Sequence, residues 1–279
     1  MRLKLTKPLV SVDWLKANLE NNSLIILNCT IPKVTVNTEV LIDKRNIKGA
    51  RFFDIKNIFS DRNSAFPNTV LKPDDFENKA KNLGICKNSA IVVYDDLGIY
   101  SAPRVWWMFQ LMGFTNIAVL NGGFPKWKHK NYPIEISKKK TFTKGDFSVN
   151  YQPQKIKFTQ QVLENINSTD VLIVDARSNG RFLATEPEPR TSLKGGHIPN
   201  SVNLPFSKII ENGKVKSKEN LKSIFADFRN KKEIIFTCGS GITAAILALG
   251  ASIVGIENYS IYDGSWTEWA STDNLPIAK

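Results

Sequence analysis

The chain has 279 residues, 42% apolar and 10% aromatic, enough to bury a sizeable core and to exclude a disordered chain or a disulfide-stapled mini-protein. Lys and Arg number 38 against 26 Asp and Glu, a formal net charge of +12, but the excess is scattered in short groups such as Lys126, Lys128 and Lys130, with no sustained basic helix and no aromatic-rich RNA-binding signature. That distribution predicts a basic surface suited to a small anionic substrate and argues against a nucleic-acid partner.

The three cysteines, Cys29, Cys86 and Cys238, are widely spaced and form no CxxC pair. They argue against a disulfide framework and a four-ligand zinc site, and they fit a reducing compartment. The first residues carry lysines but no long apolar stretch, which predicts no secretory signal. The longest apolar run, residues 244–256, is well short of the roughly 20 residues that span a bilayer. A soluble, cytoplasmic protein with no membrane partner is expected.

In chain order, the apolar run Leu24-Ile-Ile-Leu-Asn-Cys29 reads as a strand without period-two alternation, as in a parallel sheet covered on both faces. A helix is predicted over 74–83, opened by Pro73 and closed by Gly84. A second strand-like run, Ala90-Ile-Val-Val-Tyr-Asp95, precedes the segment Asn116-Ile-Ala-Val-Leu-Asn-Gly-Gly-Phe-Pro-Lys-Trp127. Residues 138–153, rich in Lys, Thr and Ser, read as a linker.

After this point the pattern repeats. Val171-Leu-Ile-Val-Asp-Ala176 matches the first strand, and Glu233-Ile-Ile-Phe-Thr-Cys238 matches the second. Asn258-Tyr-Ser-Ile-Tyr-Asp-Gly-Ser-Trp-Thr-Glu-Trp269 repeats the Asn, Gly and Trp positions, and each copy is followed by a proline, Pro133 and Pro276. A second helix is predicted over 220–230, where Leu221, Ile224, Phe225 and Phe228 follow helical spacing. Ordered matches at similar spacing identify a tandem duplication. Its units are 1–137 and 154–279, each an α/β domain with a mainly parallel sheet flanked by helices.

The duplication also locates the chemistry. Cys238 ends a buried-type strand and leads through Gly239-Ser-Gly-Ile-Thr into a helix-forming run, which places it where open α/β sheets bind ligands. Backbone N–H groups and the helix dipole there favour a thiolate and any anion it carries. Gly239 and Gly241 let the backbone curl around the sulfur. The matching residue in the first unit is Asp95, which cannot carry sulfur, so that unit is expected to be catalytically silent. Cys29 and Cys86, which lack a glycine cradle, read as packing residues. Protein phosphatases also place a cysteine in such a loop, but they need an arginine six positions later to hold phosphate, and that position is Ala244.

Tyr100-Ser-Ala-Pro-Arg-Val-Trp-Trp-Met108, Asp175-Ala-Arg177, Gly180-Arg-Phe182, Glu186-Pro-Glu-Pro-Arg190, Gly196-His-Ile-Pro199, Cys238-Gly-Ser-Gly-Ile-Thr-Ala244 and Tyr262-Asp-Gly-Ser-Trp266 follow in order along the chain. In these motifs the sequence resembles the two-domain rhodanese-like sulfurtransferases, and within them the branch whose donor is 3-mercaptopyruvate. The resemblance implies two rhodanese-like domains and a sulfur transfer through a persulfide on Cys238, with release of pyruvate. It implies that Arg181 and Arg190 hold the donor's carboxylate and keto oxygen. The loop of Gly239, Ser240, Gly241, Ile242 and Thr243 would bind the transferred group, with Ser240 assisting the leaving group.

A thiol, such as a thioredoxin-like protein, or cyanide would accept the sulfur, and no metal or organic cofactor is implied. The neutral loop after the cysteine favours mercaptopyruvate over thiosulfate. A thiosulfate sulfurtransferase and a non-catalytic persulfide carrier are the alternatives. The sequence departs from the family at two places: Asn68 stands where a histidine is expected beside the loop serine, and Lys56 where an acid is expected. His197, in its Gly-His-Ile-Pro turn, reads as a structural residue.

Overall fold

A strand flanked by helices on both sides has no solvent face to reserve for polar residues, and the unalternating apolar runs fold accordingly. The computed structural model describes residues 2–32, 45–138 and 140–279. Its chain divides into two units: Met1–Asp61 with Val70–Gln152 and Asn212–Val215, and Arg62–Thr69 with Pro153–Glu211 and Lys216–Lys279.

In the first unit β1 (Leu9–Val10), β2 (Leu24–Asn28), β3 (Arg51–Phe52), β4 (Ala90–Tyr94) and β5 (Ile117–Leu120) form a parallel sheet in the order β1-β5-β4-β2-β3. In the second, β6 (Ile156–Lys157), β7 (Val171–Asp175), β8 (Val202–Asn203), β9 (Glu233–Thr237) and β10 (Tyr259–Tyr262) pair in parallel in the order β6-β10-β9-β7-β8. The two orders are the same. The registers agree too: Leu24 lies opposite Ala90 as Val171 lies opposite Glu233, and Ile91 opposite Ile117 as Ile234 opposite Tyr259.

The residues that mark the repeat make equivalent contacts. The side-chain amide of Asn116 donates to Ser89 O at 2.8 Å, and that of Asn258 to Lys232 O at 3.1 Å, each tying one central strand to the start of the next. Buried Trp127 donates through Nε1 to Pro133 O (2.9 Å), and buried Trp269 to Pro276 O (2.8 Å). Each buried indole N–H is thereby satisfied by the same repeat position.

The helices of the first unit are α1 (Val12–Ala17), α2 (Pro73–Asn82), α3 (Ala102–Leu111) and α4 (Gly123–His129); those of the second are α5 (Thr159–Asn165), α6 (Asn179–Phe182), α7 (Lys218–Ile224), α8 (Ala244–Ile253) and α9 (Ser265–Ser271). The helix predicted over 74–83 is α2, with Pro73 in its first turn and Gly84 beyond its end at φ +68°. The helix predicted over 220–230 is shorter and shifted. Ser217 caps α7 by accepting the Asn220 N–H (3.2 Å), and after Ile224 the chain tightens into a 3₁₀ turn, Ala226–Phe228. The tighter turn sets Phe225 and Phe228 edge to face, 5.5 Å apart.

The stretch read as a linker has no helix or strand from 140 to 152. Its later part lies against the first unit. Gly145 N–H donates to Lys81 O, Phe147 N–H to Ile85 O and Asn150 N–H to Met112 O. The buried Phe147 ring packs with Phe76, Phe109 and Phe114. α8 is apolar on every face and buried from Ala244 to Ala251, which leaves the loop before it backed by a fixed core element.

Candidate active site

β9 ends at Thr237, and residues 238–243 bridge to α8. Gly241, at φ +78°, takes a backbone conformation that side chains disfavour. Two carbonyls at the start of the loop are pinned by the segment entering α9. Cys238 O accepts Trp266 N–H (2.9 Å), and Gly239 O accepts both Thr267 N–H (2.9 Å) and the Thr267 hydroxyl (2.5 Å). In a planar trans peptide the C=O and N–H point opposite ways, so pinning these carbonyls turns the following amides to the other side. Among the described residues, the N–H groups of Gly239, Ser240, Ile242 and Thr243 donate to no protein acceptor. Such a cluster of unpaired amides ahead of a helix favours an anion.

Cys238 is 1% exposed and Ser240 7%, while Gly239 and Thr243 are half-exposed. The Cys238 N–H donates to Ser265 Oγ (3.3 Å), whose own proton goes to Tyr262 O (2.8 Å). Ser265 sits at φ +50°, unusual for a residue with a side chain, and its repeat partner Gly123 sits at φ +51°. In the first unit a side chain there would collide with Asp95 O and Gly98 O.

Of the arginines singled out by resemblance, Arg181 reaches this loop and Arg190 reaches the threonine that pins it. Arg181, on α6, lies so near that a Cβ built on Gly239 would be 3.0 Å from its Nη2. Its Nε and Nη2 donate to Glu188 at 3.2 and 2.6 Å. Buried Glu188 also accepts Arg177 Nη1 at 2.8 Å. Arg177, itself buried, pairs with Asp175 (2.6 Å), donates to Gly196 O and lies over the face of Trp266, 4.3 Å from its centroid. Arg190 Nη1 donates to Thr267 Oγ1 (3.3 Å), the hydroxyl that holds Gly239 O. Asp175, Arg177, Arg181, Glu188 and Arg190 together sum to one positive charge.

Ser240 meets Asn68, which belongs to the same unit: Asn68 Nδ2 lies 3.1 Å from Ser240 Oγ and 3.3 Å from Ser240 O. Lys56 lies in a turn of the first unit, and it is exposed. His197 Nδ1 faces Phe182 O at 2.9 Å and its ring stacks on Phe182, a structural contact. Burial pushes the Cys29 thiol well up, which keeps it protonated as a packing residue should be. Cys86 is half-buried, and its N–H donates to Ser89 Oγ.

Sequence reasoning passed over Ser265, Thr267 and the bridging role of Glu188. The first had a signal, since the repeat aligns Ser265 with Gly123 of the first unit. The other two act through contacts with no sequence periodicity.

The rhodanese-like domain family matches residues 11–130 and again 158–272. A mouse 3-mercaptopyruvate sulfurtransferase is 39% identical over 277 residues, covering 95% of this chain and 93% of that protein. The chain belongs to the rhodanese-like sulfurtransferases. Rat thiosulfate sulfurtransferase is 37% identical over 278 residues, covering 95% of this chain and 92% of its own. Among solved structures, SseA from Escherichia coli, described as showing the rhodanese fold and mechanism of 3-mercaptopyruvate sulfotransferases, superposes with a TM-score of 0.83 at 29% identity. It covers 94% of this chain and 99% of that one. Among the described residues of this sulfurtransferase, no helix is long and apolar enough to cross a membrane.

Proposed function

We propose that this sulfurtransferase moves the sulfur of 3-mercaptopyruvate to a thiol acceptor or cyanide through a persulfide on Cys238, releasing pyruvate. The observation that carries the donor assignment is the charge around the loop. The cluster of Asp175, Arg177, Arg181, Glu188 and Arg190 carries one net positive charge, and loop residues 239–243 carry none. That balance suits a donor with one carboxylate better than dianionic thiosulfate.

Arg181 and Arg190 bind the carboxylate and keto oxygen, and the amides of Gly239, Ser240, Gly241, Ile242 and Thr243 hold the sulfur anion. The Cys238 thiolate attacks the donor sulfur, an S–S bond forms, and the C–S pair leaves on pyruvate as its enolate. The loop amides stabilise the resulting persulfide anion. A thiol, for which a thioredoxin-like protein is a suitable carrier, then removes the outer sulfur. The second repeat, 154–279, carries this chemistry; the first, 1–137, is silent because Asp95 replaces the nucleophile, and 138–153 joins them. Three free cysteines fit a reducing, cytoplasmic setting.

Intact-mass spectrometry after mixing the protein with mercaptopyruvate alone tests this reading. A gain of one sulfur mapped to Cys238 is expected, whereas no gain without a partner protein would make the chain a persulfide carrier. Steady-state assays with both donors settle the rest: a higher kcat/KM for thiosulfate would overturn the donor assignment in favour of the activity that the rat relative is named for.

A further inference from the structure

Asn68 stands at the tip of a short turn that its neighbours hold together. Ser64 and Thr69 hydroxyls meet at 2.7 Å, Phe66 N–H donates to Ser64 Oγ, and Thr69 Oγ1 donates to Phe66 O. Asn68 itself is at φ +62°, a left-handed conformation that asparagine tolerates better than most residues. The turn therefore aims its side chain at Ser240. Because Ser240 O can only accept, the amide group facing it is the NH₂, and that same group donates to Ser240 Oγ. With a lone pair of Oγ engaged, the serine proton is left for another acceptor.

We propose that Asn68 is a positioning residue that fixes the Ser240 hydroxyl as a hydrogen-bond donor to the departing enolate, in place of an acid–base relay. This rests on the donor assignment made above. The chemistry permits it, because the half-reaction needs no outside proton. Thiolate and mercaptopyruvate give persulfide anion and pyruvate: the S–S bond replaces the C–S bond, and the donor's thiol proton ends on the pyruvate methyl. The site has to stabilise the enolate until that proton arrives, and a fixed hydroxyl does so. An amide neither gains nor loses a proton near neutral pH. Charged side chains near this loop include Arg181 beside Gly239, its partner Glu188 and Arg190 beside Thr267, and exposed Arg62 opens the Asn68 segment. None of them is hydrogen-bonded to the serine hydroxyl.

Thiosulfate provides the internal control, because its leaving group is sulfite, a stable anion with less need of a donor. The test measures kcat/KM for both donors in wild type, N68A, N68D, S240A and the N68A/S240A double variant. The ratio of mercaptopyruvate to thiosulfate should fall about tenfold in N68A, the effect of one hydrogen bond, and at least as far in N68D, which turns a donor into an acceptor. The double variant should match S240A, since Asn68 acts through the serine. An unchanged ratio in N68A and N68D, or additive losses in the double variant, would overturn the proposal. Equal loss of both donors would also overturn it, by showing a merely structural role. A wild type that does not use mercaptopyruvate would instead refute the donor assignment, so the two failures are distinguishable.

Discussion

The loops after β4 and β9 descend from one sequence and now hold opposite things. In the first unit Asp95 follows the strand, fully buried. Its carboxylate takes the N–H groups of Leu97 (3.0 Å), Tyr100 (2.8 Å), Ser101 (2.9 Å) and Ala102 (2.9 Å). In the second unit Cys238 follows the strand, and the N–H groups of Gly239, Ser240, Ile242 and Thr243 are left without such an acceptor. The outer framework is unchanged: Phe124 N–H caps Asp95 O as Trp266 N–H caps Cys238 O, both at 2.9 Å. The first unit's loop is one residue longer from Asp95 to α3 than the second's from Cys238 to α8, which gives its carboxylate room to fold back. One copy thus carries its anion as a side chain, and this supports the reading that the other awaits one from solution.

The comparison breaks first at the nucleophile. Cys238→Ser should reduce turnover by on the order of 10⁶, as when other covalent nucleophiles are lost, and abolish the added sulfur mass; residual persulfidation would demand another nucleophile. Cys238→Asp should be equally inactive yet unfold at a higher urea midpoint than Cys238→Ala, because its carboxylate fills the cradle. An equal or lower midpoint would show that the shorter loop cannot close on it.

In the first unit, Asp95→Ala strands four N–H groups, two of them buried, and should cost about 3–5 kcal/mol in chemical unfolding, with a loss under ~1 kcal/mol counting against the cradle. Arg181→Ala and Arg190→Ala, which have no counterpart in the Asp95 loop, should each raise KM for mercaptopyruvate about 10- to 100-fold. Unaltered KM in both would remove them from the donor site.

The smallest effect concerns Asp96, whose carboxyl is pushed up to about 6 by burial and by the neighbouring charge of Asp95. Its ionised form is therefore penalised in the folded state, which binds more protons than the unfolded chain between about pH 4 and 6. This residue's contribution to stability falls as pH rises through that window, and the penalty is complete above it. Asp96→Asn should raise the thermal midpoint by ~2–4 °C at pH 7 and leave it unchanged at pH 4; the same gain at both pH values would contradict the assigned cause.

The fold was legible because each unit is a set of apolar runs whose order and spacing recur, and a repeat copies strand order and register together. The site was legible in outline because a strand-ending cysteine before Gly-Ser-Gly has few structural explanations. What stayed hidden are contacts between residues far apart in the chain. No spacing rule makes Glu188 the shared counter-ion of Arg177 and Arg181, and Asn68 was placed beside Ser240, 172 positions away, by the family resemblance and by no spacing rule. The early end of α7 was also hidden, since the spacing of Phe225 and Phe228 suits a 3₁₀ turn as well as an α-helical one.

The strip Arg62–Thr69 clusters with the second unit although its flanking chain belongs to the first. A gene cut between the two repeats would therefore separate this strip from the unit it clusters with, and would part Ser240 from the asparagine that grips its hydroxyl. An ancestral doubling has ended with one copy of the repeat lending a strip of its chain to the compact unit of the other.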